Sequence, residues 1–342
     1  MIETIKLLTG DMLFDIITIL IKTVVVFTVA MLHVAYATYF ERKIIGHMQV
    51  RLGPMMVGYH GLLQPIADGI KAFFKEDIIP LGADKPVFKV APLIAMFATI
   101  SSLSVIPFFD GFVIAEINVG LLFLFAMSSL GAYGIVMAGW ASNSKYSFLG
   151  GLRSSAQVVS YEIAMGLSLV GIMLMAGSLN ISEIVKAQQQ YWHGMFLIPQ
   201  FISFFIFTVG AFAETNRTPF DLPEAESELV AGYFVEYSGM RFAFFYLAEY
   251  VGMIVMSSIS VTCFLGGWYL PPFVVNVFPF LNEIPGLIIF LLKLYCCLFL
   301  FYWVRATLPR YRYDQLMSLG WKVLIPLSLV NIVITSLVKF FY

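Results

Sequence analysis

Residues 211–250 read AFAETNRTPFDLPEAESELVAGYFVEYSGMRFAFFYLAEY, an acidic segment between two strongly apolar runs. The stretch contains seven acidic and two basic residues, so its net charge is −5 (2 − 7). Glu214 ends the first apolar run, and Glu249 lies seven residues beyond Phe242 in the second. Seven residues of helix cover roughly 10 Å, so we expect this carboxyl group within the hydrocarbon or at its edge. Ionised acids are unfavourable there and usually mark ion or proton pathways.

The middle of the segment predicts a short helix. The sequence Asp-Leu-Pro-Glu at 221–224 is typical of a helix N-terminus, with a capping residue, an early proline and an acid three positions later. Glu224 and Glu228 would then lie one turn apart on one face, where like charges repel. Arginine partners such as Arg217, or shared protons, would relieve the repulsion and spread the pKa values. A solvated acidic loop is the simpler interpretation, and a proton-handling or gating cluster is the alternative that we favour.

The composition of the whole chain excludes an ordinary soluble globular domain. Of its 342 residues, 60% are hydrophobic and 12% are charged, and the mean hydropathy is +0.88. Apolar runs long enough to cross about 30 Å of hydrocarbon lie at about 12–40, 90–109, 119–140, 155–177, 195–213, 242–265, 284–304 and 322–341. The runs lack strand alternation, so we predict an all-α polytopic membrane protein with about eight transmembrane helices. It would form a single membrane-embedded domain over 1–342, with cytoplasmic loops at 41–89, 141–154, 214–241 and 305–321.

The distribution of basic residues predicts the orientation. Fifteen lysines and arginines lie in the segments that follow the first, third, fifth and seventh runs. The opposite side has three, namely Lys6, Lys186 and Lys339. By the positive-inside rule both termini face away from the cytoplasm. We therefore expect a multi-pass protein of a bacterial inner (plasma) membrane, or of the mitochondrial inner membrane if the chain is organellar.

The sequence contains no pattern typical of a bound redox cofactor or metal. Its cysteines, Cys263, Cys296 and Cys297, lie in apolar runs without CxxC spacing, and its four histidines include no i, i+4 pair. Walker A, Rossmann and nucleophile-elbow patterns are also absent. We expect this chain to bind no redox cofactor or metal of its own.

The segment after the first apolar run, residues 40–76, reads FERKIIGHMQVRLGPMMVGYHGLLQPIADGIKAFFKE. Apolar residues recur at positions 66, 70, 73 and 74, on the face opposite Asp68 and Lys71. This spacing predicts an amphipathic helix that lies in the membrane interface. Arg42, Lys43 and Arg51 are well placed to bind anionic groups. A generic juxtamembrane helix with basic anchors is the alternative.

Two more segments contain candidate functional residues. Glu162 lies about two turns inside the fourth run, where a carboxyl group is a functional candidate, or structural if it pairs with a basic neighbour. Arg305, Arg310 and Arg312 form a basic, aromatic patch within RATLPRYRYDQLM, residues 305–317. The patch is either a topological anchor or a surface that binds a partner or the acidic segment.

Four of these stretches resemble one protein family. ERKIIGHMQVRLGP, GLLQPIADGIKAFFKE, AETNRTPFDLPEAESELVAGY and RATLPRYRYDQLM are similar to the characteristic stretches of the H subunit (subunit 1 in mitochondria) of proton-translocating NADH:quinone oxidoreductase, respiratory complex I. The resemblance covers nearly the full chain. It implies a heel subunit that joins the membrane arm to a peripheral arm, which contains FMN and iron–sulfur clusters. Quinone would be the substrate, and small membrane subunits and antiporter-like subunits would be the other partners.

The resemblance also implies roles for individual residues. It puts Arg42, Asp68 and Phe220 along the quinone path. Quinone would be reduced in an adjoining peripheral subunit, and this chain would couple the reduction to proton pumping. By the same resemblance, proton transfer and coupling would fall to six acids: Glu162, Glu214, Glu224, Glu226, Glu228 and Glu249.

Two alternatives stay open at this point. Membrane-bound nickel–iron hydrogenases and complexes fed by ferredoxin or a deazaflavin share this subunit's architecture, although PFDLPEAESELVAGY favours a quinone reductase. The electron donor binds elsewhere, so this sequence does not identify it. The other alternative is an independent secondary transporter with intramembrane carboxylates. The sequence shows neither an internal repeat nor paired broken helices, which argues against a transporter.

Overall fold

A computed structural model describes residues 11–190, 194–222, 226–277 and 279–341, and within these ranges the protein is built from helices without β-strands. The α-helices in chain order are α1 (Asp11–Met48), α2 (Gln64–Phe74), α3 (Lys85–Ser102), α4 (Gly120–Ala141), α5 (Lys145–Ala176), α6 (Ile181–Gln190), α7 (Phe201–Glu214), α8 (Glu226–Leu229), α9 (Gly239–Cys263), α10 (Pro272–Val277), α11 (Gly286–Thr307), α12 (Tyr313–Leu319) and α13 (Ile325–Phe341). Short 3₁₀ turns lie at Tyr59–Gly61, Leu103–Val105, Gly232–Phe234 and Pro279–Glu283, and a π-helical turn at Gly320–Leu324 joins α12 to α13.

Seven helical segments in the described ranges are long and apolar enough to cross a membrane. They are α1, α3 with its extension to Val105, α4, α5, α9, α11 and the continuous segment Tyr313–Phe341. This architecture confirms the prediction of an all-α polytopic membrane protein.

The run predicted at 195–213 differs from the other seven. Its helix, α7, begins only at Phe201 and has 14 residues, or about 21 Å, which is shorter than the hydrocarbon layer. Pro199 gives the physical reason, because it disfavours a helical conformation of the residue before it. The sequence contains eight apolar runs, but the described ranges fold into seven long spans and one short apolar helix.

Several helices extend beyond the apolar runs that predicted them. Helix α1 continues through the charged residues after Phe40 to Met48, and α5 begins at Lys145 instead of near residue 155. Helix α11 likewise ends at Thr307. An apolar run stops at its first charges, whereas the backbone hydrogen bonding of a helix continues past them. The non-helical connections are therefore shorter than the predicted loops.

Helix α2 confirms the predicted amphipathic helix. Pro65 lies in its first turn, a position where proline is well tolerated, and none of its residues is buried. Ile66, Ile70 and Phe73 are each more than half exposed. The apolar face of α2 is therefore open in this chain, as an interfacial helix requires.

The interior of the bundle is formed by α5 and α9. Helix α9 is buried at nearly every position from Tyr250 to Cys263. On α5, a Cβ added to Gly150 would lie 2.6 Å from the Cα atom of Gly232, so the two backbones are in direct contact. This contact fixes the 3₁₀ turn that contains Tyr233, a residue of the site described next.

Candidate functional site

Glu41, near the C-terminal end of α1, is buried, with 3% of its surface exposed, and it lies at the centre of a cluster formed with Arg217, Tyr250 and Arg305. It continues a stripe of buried residues that recur at helical spacing along α1, namely Val26, Ala30, Val34 and Ala37. Its carboxylate accepts hydrogen bonds from the Tyr250 hydroxyl at 2.5 Å and from Arg217 at 3.4 Å. Arg305 forms an ion pair with the same carboxylate. Three spans, α1, α9 and α11, therefore meet at one buried charge.

Arg217 connects this cluster to a second buried acid. Its guanidinium lies 3.4 Å from Glu41, 3.9 Å from Glu249 and 4.3 Å from the centre of the Tyr250 ring. Burial alone would lower the pKa of Arg217, but Tyr250 and the two carboxylates raise it well above its ordinary value. The guanidinium therefore stays charged between the two acids. From the sequence, Arg217 is one candidate partner for Glu224 and Glu228. Its described partners are Glu41 and Glu249, and Glu228 pairs with Arg153 instead.

Next to Glu249 lies a partly open cavity of about 100 Å³, lined mainly by residues of α3, α4, α5, α7 and α9. Its wall is mostly apolar, and its polar residues are Thr99, Ser102, Ser128, Glu214, Thr215, Asn216, Tyr233 and Glu249. One water needs roughly 10–15 Å³, so the cavity has room for several. The Tyr233 hydroxyl lies 3.5 Å from Glu249 on this wall.

Glu214 is the second acid on the cavity wall, and Glu162 lies on α5. Glu214, the last residue of α7, accepts a hydrogen bond from Ser128, and its other carboxylate oxygen has no hydrogen-bond partner among the described residues. Glu162 accepts a 2.6 Å hydrogen bond from Ser129. It lies 17 residues after the start of the 32-residue helix α5, so it is near the middle of that span. Both serines come from α4.

Buried polar groups fix the loop that contains Arg217. The Gln157 amide of α5 donates hydrogen bonds of 2.8 Å to the carbonyl groups of Ala213 and Phe220. Asp221 forms a 2.9 Å ion pair with Arg310, so the basic patch does bind the acidic segment. Burial raises the pKa of Asp221, and the neighbouring Arg310 counteracts part of that rise.

The residues expected along the quinone path fall into two groups. Arg42 and Asp68 form a 2.8 Å ion pair between α1 and α2, and Gln64 donates a 2.9 Å hydrogen bond to the same carboxylate. Phe220 is instead buried, and the centre of its ring lies 5.4 Å from that of Tyr161 and 5.7 Å from that of Tyr311.

Glu228, another acid of the segment, lies apart from the buried line. Glu228 is exposed and forms a 2.7 Å ion pair with Arg153. Glu226 begins α8, whereas residues 223–225, which include Glu224 and the second half of the helix start predicted at 221–224, lie outside the described ranges. The structure therefore brings Glu214, Glu249 and Glu162 together, and it separates Glu228 from them.

Sequence reasoning missed several residues of the site. Glu41 could have been found, because it continues the helical spacing of the small residues on α1. Tyr250, Ser128 and Ser129 have no comparable signal in a single sequence. Within the described ranges, no group of three or more His, Cys, Asp or Glu residues could hold a metal ion.

The fold and the site together define a multi-pass helical membrane protein with an internal line of ionisable side chains. The family model described as NADH dehydrogenase matches residues 21–336. The H subunit of the NADH-quinone oxidoreductase of Rhodospirillum rubrum is 57% identical over 328 residues, which cover 96% of this chain and 95% of the relative. The corresponding H subunit of Rickettsia typhi is 55% identical over 333 residues, 97% of this chain and 96% of the relative. The chain therefore belongs to the NADH dehydrogenase family, as the resemblance of its four sequence stretches indicated.

Proposed function

We propose that this chain is the membrane subunit of a proton-translocating NADH-quinone oxidoreductase that links quinone reduction to proton movement. The relatives, which are named as H subunits of NADH-quinone oxidoreductases, support the assignment to the complex. The observation that carries the coupling role is a line of polar groups that begins at Glu41 and passes through Arg217 and Glu249 to the cavity. The line continues through Glu214 to Glu162. The chain acts as part of an enzyme complex, whose FMN and iron–sulfur clusters belong to other subunits.

The quinone path begins, on this proposal, between α1 and α2. The Arg42–Asp68 ion pair joins the two helices and is partly exposed, with 48% and 39% of the side-chain surfaces accessible. Arg42 is also the immediate neighbour of the buried Glu41. A quinone head group near this pair would therefore lie close to the start of the buried line. Phe220 acts more indirectly, because it belongs to the loop that contains Arg217 and its N–H donates a 2.8 Å hydrogen bond to the Arg217 carbonyl.

Electrostatics supplies the coupling. Arg217 is shared between Glu41 and Glu249, so a change of charge near Glu41 alters the balance between its two partners. Two unit charges 4 Å apart interact by about 4 kcal/mol at an effective dielectric constant of 20. A change in interaction energy of that size is sufficient to move Arg217 strongly towards one of its two carboxylate partners. The shift changes the protonation of Glu249 and of the acids beyond the cavity.

The membrane orientation and the partners follow from the same assignment. Both termini lie on the non-cytoplasmic side of a bacterial inner membrane, as the distribution of lysine and arginine favours. The peripheral quinone-reducing subunits bind the cytoplasmic side of the chain, and small membrane subunits and antiporter-like subunits bind within the membrane. Affinity purification in mild detergent, followed by mass spectrometry, tests these partners. Recovery of the folded chain alone would contradict the assignment to a complex.

The coupling role is tested with Glu249→Gln, Glu214→Gln and Glu162→Gln in the assembled complex. We expect normal NADH oxidation by an artificial acceptor, but lower quinone reduction or fewer protons pumped per electron in inverted vesicles. Glu116→Gln is the matched control, because Glu116 is exposed between α3 and α4. Wild-type turnover and proton stoichiometry in all three variants would refute the coupling role.

A further inference from the structure

A second, larger cavity lies between α1 and α11. Its volume is about 910 Å³, and residues of these two helices line it together with Leu62. The lining residues of α1 recur at helical spacing from Val29 to Ile44, so they share one face of the helix. Most of the wall is apolar, and Leu32 and Phe40 on it are about half exposed. In this chain the cavity is therefore a groove that opens towards the lipid.

This groove is separate from the path that begins at Arg42 and Asp68. Arg42 follows His33, a residue of the groove wall, by nine positions. Nine residues of an α-helix turn by about 900°, which is two complete turns and one half turn. Arg42 therefore points away from the face of α1 that lines the groove. Neither Arg42 nor Asp68 is among the described residues of its wall.

One hydrogen-bonded pair of polar side chains belongs to the groove wall. The Tyr295 hydroxyl lies 2.5 Å from His33 Nε2, and the two rings are stacked with their centres 5.3 Å apart. His33 Nδ1 lies 3.3 Å from the carbonyl oxygen of Val29, which only accepts, so Nδ1 carries the proton. Nε2 is then the acceptor, and the Tyr295 hydroxyl is its donor. The Tyr295 oxygen keeps acceptor capacity for a molecule in the groove.

The pair lies deep in the hydrocarbon. His33 precedes Glu41 by eight residues, or about 12 Å of helix, and the hydrocarbon is about 30 Å thick. Tyr295 follows the first residue of the 22-residue helix α11 by nine positions, so it lies near the middle of that span. A phospholipid presents only its acyl chains at this depth. A ligand that uses the pair must therefore carry a small, uncharged hydrogen-bonding group into the hydrocarbon.

We propose that the groove binds a quinol, with one quinol hydroxyl donating to the Tyr295 oxygen. The inference rests on the proposed function, which supplies quinol as the product of the complex. A quinol has an uncharged head group and an apolar tail, which match a wall that is mostly apolar. The volume of the groove also falls in the range of about 300–1,000 Å³ that is usual for ligand pockets.

The polarity of the hydrogen bonds favours quinol over quinone. A quinone carbonyl can only accept, and the Tyr295 hydroxyl already donates to His33. A quinol hydroxyl can donate to the Tyr295 oxygen without breaking that bond. Tyr36 and Tyr302, the other two tyrosines of the wall, carry hydroxyls that can donate or accept and so do not distinguish the two forms.

Photolabelling of the assembled complex, without NADH, tests this site. The probe is a short-chain quinol with a diazirine on its tail, applied anaerobically in its reduced form and separately in its oxidised form. Mass spectrometry then identifies the labelled peptides. We expect the reduced probe to label residues 29–44 and 295–302 about five-fold more than the oxidised probe does. A phospholipid with a diazirine in its acyl chain is the comparison.

Two matched pairs of variants test the residues of the groove. Tyr295→Phe keeps the ring and removes the hydroxyl, so labelling by the reduced probe should fall about five-fold. Its control is Tyr133→Phe, because Tyr133 is an exposed tyrosine of α4 that does not line the groove. Leu32→Trp fills the groove and should abolish labelling by both forms. Leu20→Trp puts the same ring on an exposed position of α1 outside the groove and should leave the labelling unchanged.

Three results would overturn the quinol site: no label in the groove from the reduced probe, equal labelling by both forms, or labelling by the phospholipid probe alone. The last would make the groove an acyl-chain site. If Leu32→Trp does not assemble, Tyr295→Phe still decides, because unchanged labelling in that variant contradicts the proposal. None of these results bears on the coupling role, since labelling is measured without turnover. Conversely, normal pumping in the three glutamine variants would remove the coupling role and leave the labelling result as it stands.

Discussion

Arg217 lies 3.9 Å from Glu249 while its other terminal nitrogen lies 3.4 Å from Glu41. One guanidinium therefore serves two buried carboxylates that belong to different helices, α9 and α1. Arginine suits this position because its planar group presents donors in fixed directions, whereas a lysine ammonium is a compact point charge.

Replacement of Arg217 separates the effect of its charge from that of its shape. Arg217→Lys keeps the charge but cannot bridge both acids, so we expect assembly with a several-fold lower rate of quinone reduction. Arg217→Ala leaves two buried carboxylates without this partner, which should destabilise the fold by about 3–5 kcal/mol. Assembly yield and thermal unfolding of the purified complex measure the second effect. A fully active lysine variant would show that the shared geometry is unimportant.

Tyr250→Phe should remove the 2.5 Å hydrogen bond to Glu41 and keep the ring that faces Arg217. A hydrogen bond to a charged group contributes about 1.5–3 kcal/mol, so the free energy of unfolding of Tyr250→Phe should fall by an amount in this range. Tyr237→Phe is the comparison, because the Tyr237 hydroxyl donates a 3.3 Å bond to a neutral carbonyl, that of Phe88. The free energy of unfolding of Tyr237→Phe should fall by about 1 kcal/mol. Equal shifts in thermal unfolding for the two variants would contradict the special role of Glu41.

The pH dependence of stability should change in Asp221→Asn. Burial raises the folded-state pKa of Asp221 above its ordinary value of about 3.9. The folded state therefore binds this proton more tightly than the unfolded state does. The resulting stabilisation is present below the ordinary pKa and is lost as the pH rises through the folded pKa.

Thermal unfolding of the complex between about pH 4 and neutral pH measures this effect. Wild type should lose more stability over that window than Asp221→Asn does, since the amide does not titrate. Asp314→Asn is the matched control, because it removes the same charge from an exposed ion pair with Arg312. Parallel pH profiles for wild type and Asp221→Asn would contradict the prediction.

Two glycines of α5 should respond in opposite ways to alanine. At Gly150 the new Cβ would lie 2.6 Å from the backbone of Gly232, so Gly150→Ala should cost about 1–3 kcal/mol and displace Tyr233. At Gly166 the nearest atom is 3.9 Å away, so Gly166→Ala should stabilise the helix by about 0.5–1 kcal/mol. Thermal unfolding of both variants measures the difference. A neutral Gly150→Ala would show that the turn at 232–234 adapts freely.

Hydropathy and helical periodicity predict where the helices lie, but they predict the first and last residues of each helix less well. Apolar length locates every span because the hydrocarbon thickness sets that length, and the exception, α7, is shortened after Pro199. The period of 3.6 residues likewise predicts α2. Charged ends such as 41–48 were assigned to loops because hydropathy does not report backbone hydrogen bonds.

Partners across the bundle are harder to predict than the helices. The intramembrane acids Glu214, Glu249 and Glu162 stand out because charge is rare in spans. Their partners do not, since periodicity identifies the face of a helix but not the helix it meets. Tyr250 and Glu41, for example, are 209 positions apart. The exposed Glu228 shows the converse, because a charge in the same acidic segment need not share the buried site.

The ion pair between Glu41 and Arg305 also has a consequence for biogenesis. The two residues are separated by 264 positions, so α1 enters the membrane long before α11 is synthesised. Until Arg217 is synthesised Glu41 lacks both of its arginine partners, and until α11 is inserted it still lacks Arg305. Insertion of α11 completes the ion pair, so a helix made late in synthesis fixes the position of α1, the first span to be made.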